Sequence, residues 1–366
     1  VDEDVVTDQL SQDSVTSGRI DHTRAAIWRG GDEVVLESVP VPPLRAGEVL
    51  VRVGLATVCG SDRHTVSGRR AQPCPSILGH ETVGAIVALG GDGELRAVDG
   101  QLLRLGQRVI WSVTLPCGAC DRCAAGVTAK CRTVRKAGHE AFDSGWALSG
   151  GYAEHVLLPR GMPVAVVADD IADSLAAPAA CATATVMAVI ERARPIAGRR
   201  VVVIGAGMLG LTALAAAADA GASSVTAVDP AAERRELAVQ FGATAVVASV
   251  ADVDQCDVLL EFSGKSQALQ QGLRTLDVQG VAVLAGSVAP DADIAVDPEA
   301  VVRRHLSFFG VHNYEPRHLT QALSFLQRTD GLFPWAQLVA DPDPLDRIAS
   351  LLTDAPGTKP RYAIAP

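Results

Sequence analysis

Four cysteines crowd into LPCGACDRCAAGVTAKC, residues 115 to 131: Cys117, Cys120, Cys123 and Cys131. Thiols at this density make a disulfide knot, a redox pair, an iron–sulfur cluster or a metal site. The spacing Cys-x2-Cys-x2-Cys-x7-Cys suits tetrahedral zinc, because a compact loop turns four thiolates toward one point at ~2.3 Å. Four thiolates leave such an ion no open position, so its role is structural. A thioredoxin-type pair has two cysteines at a helix start in a different context. The run also lacks the Cys-Pro end of bacterial iron–sulfur motifs.

A second set of donors is scattered. TVCGSDRH offers Cys59, Ser61, Asp62 and His64; ILGHETVG offers His80 and Glu81; LAAPAACATATV offers Cys181. A catalytic zinc needs about three protein ligands and one open position. Cys59, His80 and Cys181 are of the right types, each near the end of a separate segment. A lone cysteine is often only a small buried hydrophobe, and spacing alone does not join residues this far apart.

The third feature is VVVIGAGMLG, with Gly205, Gly207 and Gly210 in a G-x-G-x-x-G between a strand and a helix that begins near Met208 and Leu209. The first glycine permits a tight turn, the second lets backbone approach a pyrophosphate, and the third packs helix on strand. Asp229 closes the next strand, nineteen residues beyond Gly210, where a carboxylate accepts hydrogen bonds from the adenosine ribose hydroxyls. A 2'-phosphate there would meet a like charge. At ~4 Å and an effective dielectric of ~20 the repulsion is on the order of 4 kcal/mol, so NAD is expected over NADP. Arg234 is a further candidate for cofactor contact, with Arg235 beside it.

These residues need elements to hold them. At 366 residues the chain has length for two domains, and 48% hydrophobic with 20% charged residues is ordinary globular composition. The net charge of -10 argues against nucleic acid. No apolar run reaches the ~18 residues of a membrane span, and the first twenty residues lack a signal peptide's apolar segment. A cytoplasmic protein is expected, in which disulfides are rare. Lysine is scarce: Lys130, Lys136, Lys265 and Lys359 are the only four.

Residues 1–22 are acidic and aperiodic and read as a mobile tail. From Arg24 to about GGYAEHVLLP, short β-branched runs broken by Gly and Pro predict antiparallel β structure. Beyond residue 182 the text alternates. The apolar runs RRVVVIG, SVTAVD, TAVVAS, CDVLLEFSG, GVAVLAGS and LSFFGVHN, most of them separated by helical stretches, predict a parallel, doubly wound α/β sheet. Helical text resumes after about residue 313, and PRYAIAP ends in a strand.

Taken together, VCGSD, GHETVGAIVALG, the four-cysteine lobe and the glycine loop with its acid resemble the zinc-containing medium-chain alcohol dehydrogenases, from about residue 24 onward. The resemblance implies a GroES-like β-rich catalytic domain at 23–182, with the zinc lobe at about 115–132. It also implies an NAD-binding Rossmann domain at 183–313 and a segment 314–366 returning to the catalytic domain. It implies two zinc ions per subunit. Cys59, His80 and Cys181 would bind the catalytic zinc, although many relatives carry a glutamate near the last position. Cys117, Cys120, Cys123 and Cys131 would bind the structural one. Ser61 would pass a proton by way of the nicotinamide ribose to His64, Asp62 would hold His80, and Glu81 would sit beside the metal. A homodimer or homotetramer is implied, with a small polar alcohol as substrate.

CATATVMAVIERA and GVHNYEPRHL are similar to a bacterial subgroup associated with phosphonate catabolism and to cyclitol dehydrogenases. The expected substrate is therefore a secondary alcohol of a polyol or cyclitol, with or without a phosphate. A hydroxyalkylphosphonate or an aldehyde is the alternative. Arg69 and Arg70 are candidates for a phosphate clamp, and His139 and Glu140 for the cleft wall. A reading of another class is an inactive zinc-binding interaction protein. The segment LGGDGELRAVDGQLLRLGQRVI resembles a short surface insertion, and Cys74 and Cys256 match no ligand position.

Overall fold

The computed structural model describes residues 20–91, 93–354 and 359–366. Most of the acidic stretch read as a tail lies outside the described residues. His22, its last residue, already belongs to a strand, His22–Gly30.

The β-rich part is built on a seven-stranded sheet. Its central strands are Val49–Thr57 and Glu81–Leu89, paired antiparallel from Val49 opposite Leu89 to Thr57 opposite Glu81. Val49, Val51 and Val53 share a buried cluster with Ile86, while Leu55 and Val83, past an irregularity in the register, pack into the core of the joining helix. This pairing brings Thr57, Cys59 and Glu81 to the same end of the sheet. The chain's last strand, Arg361–Ala365, adds antiparallel to Val49–Thr57, with Ala363 opposite Thr57. Arg361 therefore arrives at that same end.

The second part is a six-stranded sheet, parallel throughout. Its strand order, first-to-last in space, is Ala245–Val247, Ser224–Val228, Arg200–Ile204, Cys256–Glu261, Leu276–Leu284, Ser307–Gly310. These are the six strands expected from the sequence. Their Val, Leu and Ile residues are buried because helices cover both faces. The order reverses between Arg200–Ile204 and Cys256–Glu261, and ligands bind outside the carboxyl ends of strands at such a point.

A continuous helical stretch, Asp173–Ala193, joins the two parts. Ala176, Ala179, Ala182, Val186 and Val189 are buried in a core that also holds Leu55, Val83 and Ile110 from the β-rich part and Val201, Leu211 and Leu214 from the parallel one. Residues 182 and 183, the division read from the sequence, lie inside this helix. By length and composition alone the helix could cross a membrane, which no single run in the sequence had suggested. Its most apolar window is 72% buried within the protein, so its apolar surface is core.

Candidate active site

Cys59 caps the helix Gly60–Val66, His80 and Glu81 open the strand Glu81–Leu89, and Cys181 comes from the helix joining the two parts. The ligand atoms of all four lie within 4.8 Å of one another. At Ala179–Thr183 the joining helix widens into a π turn. Such turns shift the register of one side chain and recur at functional sites. The Tyr314 hydroxyl donates to the Ala180 carbonyl inside that turn.

Each donor is held by a partner from elsewhere in the chain. Asp62 is 2% exposed; its Oδ2 accepts the Cys59 N–H at 3.0 Å and the Tyr152 hydroxyl at 2.9 Å, and its Oδ1 lies 3.3 Å from His80 Nδ1. The last contact is electrostatic rather than a well-aligned hydrogen bond. It favours the proton on Nδ1 and leaves the Nε2 lone pair facing the site, the orientation a metal-binding imidazole needs. Ser61 Oγ stands 3.4 Å from Nε2. Glu81 is fully buried and forked by Arg361, at 2.7 Å from Nε and 2.9 Å from Nη2, and it accepts the Thr57 hydroxyl at 2.7 Å. Arg361 Nη2 also reaches Cys59 Sγ at 3.5 Å. Contact with Cys181, outweighing burial, holds the Cys59 thiol well below its usual range, and Arg361 adds to the effect. One imidazole and two thiols converging on one point are a donor set for zinc.

The other four cysteines close around one point. Cys120 Sγ lies 3.5 Å from Cys123 Sγ and 3.9 Å from Cys131 Sγ. A disulfide is far shorter, at ~2.05 Å, whereas a tetrahedron of ~2.3 Å zinc–sulfur bonds has edges of ~3.8 Å. The backbone N–H groups of Cys117 and Ala119 point at Cys131 Sγ and Cys117 Sγ, at 3.2 and 3.5 Å. The thiol geometry fits a structural zinc. The lobe is latched to the far side of the parallel sheet by Glu315, which accepts the N–H groups of Thr128 and Ala129 at 2.9 and 3.3 Å.

Across the cleft, Gly205 has φ +93°, and a Cβ at Gly210 would stand 1.7 Å from the Gly205 carbonyl oxygen. Only glycine fits either place. A Cβ at Gly207 would meet nothing within 4 Å, which leaves its approach open to a ligand. Gly207 caps the helix Met208–Asp219, whose first N–H groups face the same opening. Asp229 is 3% exposed and accepts the N–H groups of Ala206 and Ala231, each at 2.9 Å. Arg234 stands 3.7 Å from it and is more than half exposed, while Arg235 donates to the backbone oxygens of Asp229 and Pro230.

One cleft of about 350 Å³ joins these features, lined among others by Cys59, Ser61, His64, His80, Cys181, Gly207 to Gly210 and Arg361. Ser61 and His64 are three residues apart on one helix and therefore share a face. Burial, with help from Arg69, holds the His64 imidazole below its ordinary value. Arg70 lines the cleft, whereas Arg69 is exposed and does not. His139 lines it with its ring 5.0 Å from that of His80. Glu140 turns away to Arg135 and the Lys136 backbone.

Matches to known proteins agree with this geometry. Residues 45–168 match the alcohol dehydrogenase GroES-like domain, and residues 209–328 match the zinc-binding dehydrogenase family. The chain is 30% identical to D-altritol 5-dehydrogenase of Agrobacterium fabrum, over 88% of its own length and 93% of that protein's. The chain belongs to the zinc-containing medium-chain alcohol dehydrogenases. This dehydrogenase is also 29% identical to 5-exo-hydroxycamphor dehydrogenase of Pseudomonas putida, over 90% of its own length and 95% of that protein's. An alcohol dehydrogenase from Thermotoga maritima superposes with a TM-score of 0.85 at 26% identity, covering 94% of this chain and 99% of the other. With its glycine loop and two metal-type clusters, the dehydrogenase carries stations for NAD and two zinc ions.

Tyr152, Thr57, Arg361 and Asn313 went unread in the sequence. Tyr152 reaches Asp62 across 90 positions and Arg361 reaches Glu81 across 280, so no local spacing announces them. Asn313 has a weak signal, an asparagine just past a strand. It adopts φ +61° and lines the cleft with an Nδ2 that has no protein partner.

Proposed function

We propose that this dehydrogenase oxidises a secondary alcohol of a polar polyol or cyclitol, passing hydride to NAD. The observation that carries the proposal is the single cleft. Its one wall has Cys59, His80 and Cys181 and its other has Gly207 with the amino end of a helix. Zinc held by those three residues would act as a Lewis acid on the substrate oxygen. Ser61, beside the metal-facing nitrogen of His80, accepts the alcohol proton. His64, three residues on along the same helix face, takes it toward solvent. Its half-buried position keeps it neutral and ready to accept. Asp62 and Tyr152 fix the His80 ring, so the lone pair does not turn away. Arg361, paired with Glu81 and in reach of Cys59 Sγ, supplies the positive charge that offsets both.

Asp229 supports NAD over NADP, since both its oxygens are committed to backbone N–H groups and a 2'-phosphate would stand against it. The likeness to D-altritol 5-dehydrogenase supports a polyol, and His64 and His139 along the cleft supply partners for several hydroxyls. Among the described residues the strand Ser307–Gly310 has no neighbour on its outer edge, and with Phe309 exposed it supports a homo-oligomer paired through the cofactor sheets. The test is NADH formation by zinc-replete protein with hexitols and cyclitols, together with a metal count. Two zinc ions per chain, falling to one in Cys181→Ala with loss of turnover, is the expected result. A full zinc complement in Cys181→Ala, or wild-type protein that oxidises no alcohol, would overturn the reading.

A further inference from the structure

The net charge of -10 hides a local reversal. Two of the chain's four lysines are gathered near Arg70: Lys136 on the cleft wall and Lys130 behind it, against His312. Arg70 and Lys136 line the cavity itself, as does His312. Lys130 reaches His312 from the zinc lobe, its ammonium donating to Nδ1 at 2.7 Å. That bond fixes the ring tautomer: Nδ1 accepts, so the ring proton sits on Nε2 and is available to a further acceptor.

The nearby acids are engaged elsewhere. Glu140 pairs with Arg135 and Glu315 with the backbone of the zinc lobe. The surroundings act on these groups as positive charge would. Burial and then Lys130, Lys136 and Arg70 push His312 down to about 4. Burial, Arg70 and Lys130 lower Lys136. Like charges crowded on a partly desolvated wall destabilise one another unless an anion joins them.

We propose that Arg70, Lys136 and the Lys130–His312 pair form a subsite for a phosphoryl dianion on the substrate, either a phosphate ester or a phosphonate. The proposal rests on the reading of this cleft as that of an alcohol dehydrogenase and adds a substrate class to it. Arg70 and Lys136, the two full cations on the cavity wall, exceed what one carboxylate neutralises and match a dianion, with Lys130 behind His312. Arg70 supplies a planar fork, Lys136 a point charge, and His312 Nε2 a neutral donor. The cofactor's own phosphates have a separate station at Gly207 and its helix. The subsite spans both parts of the molecule, since Arg70, Lys130 and Lys136 come from the β-rich part and His312 follows the last strand of the parallel sheet. A bound dianion would therefore bridge groups from both parts.

Binding and turnover are tested separately. Inorganic phosphate is titrated calorimetrically into zinc-replete protein saturated with NADH, so that the dinucleotide station is filled. The expected result is saturable binding, weakened ten-fold or more in Arg70→Met and in Lys136→Met. Lys136→Arg should recover it, and Arg104→Met, at an exposed arginine away from the cleft, should leave it unchanged. In the second arm, hexitols are compared with hexitol monophosphates, hydroxyalkylphosphonates and aldonates. A ten-fold or greater advantage in kcat/KM for either phosphoryl compound, lost in Lys136→Met mainly through KM, supports the subsite. The better of the two names the source. No phosphate binding, binding indifferent to Arg70 and Lys136, or a preference for aldonates overturns it. Failure of every alcohol to turn over while phosphate still binds would instead sink the dehydrogenase reading alone.

Discussion

Removing the Arg361 guanidinium should destabilise the catalytic part of this dehydrogenase more than any surface change. Glu81 is 0% exposed and Arg361 7%, and two hydrogen bonds of 2.7 and 2.9 Å join them. Breaking a buried pair of this kind leaves an uncompensated charge and costs about 3–5 kcal/mol, against a total stability of about 5–15 kcal/mol. Burial already pushes the Glu81 carboxyl up to about 7 against the pull of Arg361, and it should rise further in Arg361→Met. A carboxyl whose folded value exceeds its unfolded ~4.3 favours folding fully only below ~4.3 and loses that contribution as pH rises toward the folded value. The deficit of the variant should therefore be larger at pH 8 than at pH 6, by about 1.4 kcal/mol per unit across the interval where Glu81 ionises. The assay is urea unfolding followed by tryptophan fluorescence, for which the buried Trp111 and Trp146 report on this part. Adding Glu81→Gln should restore most of the loss, because the amide carbonyl still accepts from Thr57. A cost under about 1 kcal/mol, or a deficit that Glu81→Gln leaves intact, would refute the reasoning.

Alcohol oxidation should fall in acid as His64 takes up a proton and can no longer accept one. Because the His64 value is lowered, that limb should lie below pH 6.5, and His64→Gln should remove it while slowing turnover by up to about 100-fold. A limb that survives in His64→Gln would assign it to another group. In Gly210→Ala the new Cβ would stand 1.7 Å from the Gly205 carbonyl oxygen, so helix and strand must part by well over 1 Å. NADH affinity, read by its fluorescence, should weaken about 100-fold, and unchanged affinity would mean that this helix does not hold the pyrophosphate.

What the sequence makes legible follows from how local each signal is. The glycine loop is ten residues long and the zinc lobe seventeen, and in each the chemistry and the backbone that delivers it are contiguous. The parallel strands announce themselves because burial on both faces demands unbroken apolar runs. Cys59, His80 and Cys181 were reached through family likeness, since three elements and a sheet register bring them together. The π turn at Cys181 has no marker in an alanine-rich helix, where every neighbour is equally small. Arg361 and Tyr152 were invisible because each acts through a carboxylate whose identity, but not whose partner, can be read. The clamp expected from Arg69 and Arg70 divides in the structure. Only Arg70 lines the cleft, together with Lys136 and His312.

The pairing of Arg361–Ala365 with Val49–Thr57 also has a bearing on the order in which the molecule is made. The six strands of the parallel sheet are continuous in sequence and are all made once Ser307–Gly310 has been synthesised, while the helix Arg317–Arg328 and Trp335, which pack into the same core, follow them. The β-rich part begins more than 150 residues before that sheet, yet lacks two of its strands, Val339–Pro344 and Arg361–Ala365, until the last thirty residues of the sequence appear. Until then Glu81 has no guanidinium and the end of the sheet that carries Cys59 is open. The order of synthesis places Cys59, His80 and Cys181 ahead of Arg361–Ala365, so the strand that brings a guanidinium to Glu81 and Cys59 is made after all three donors.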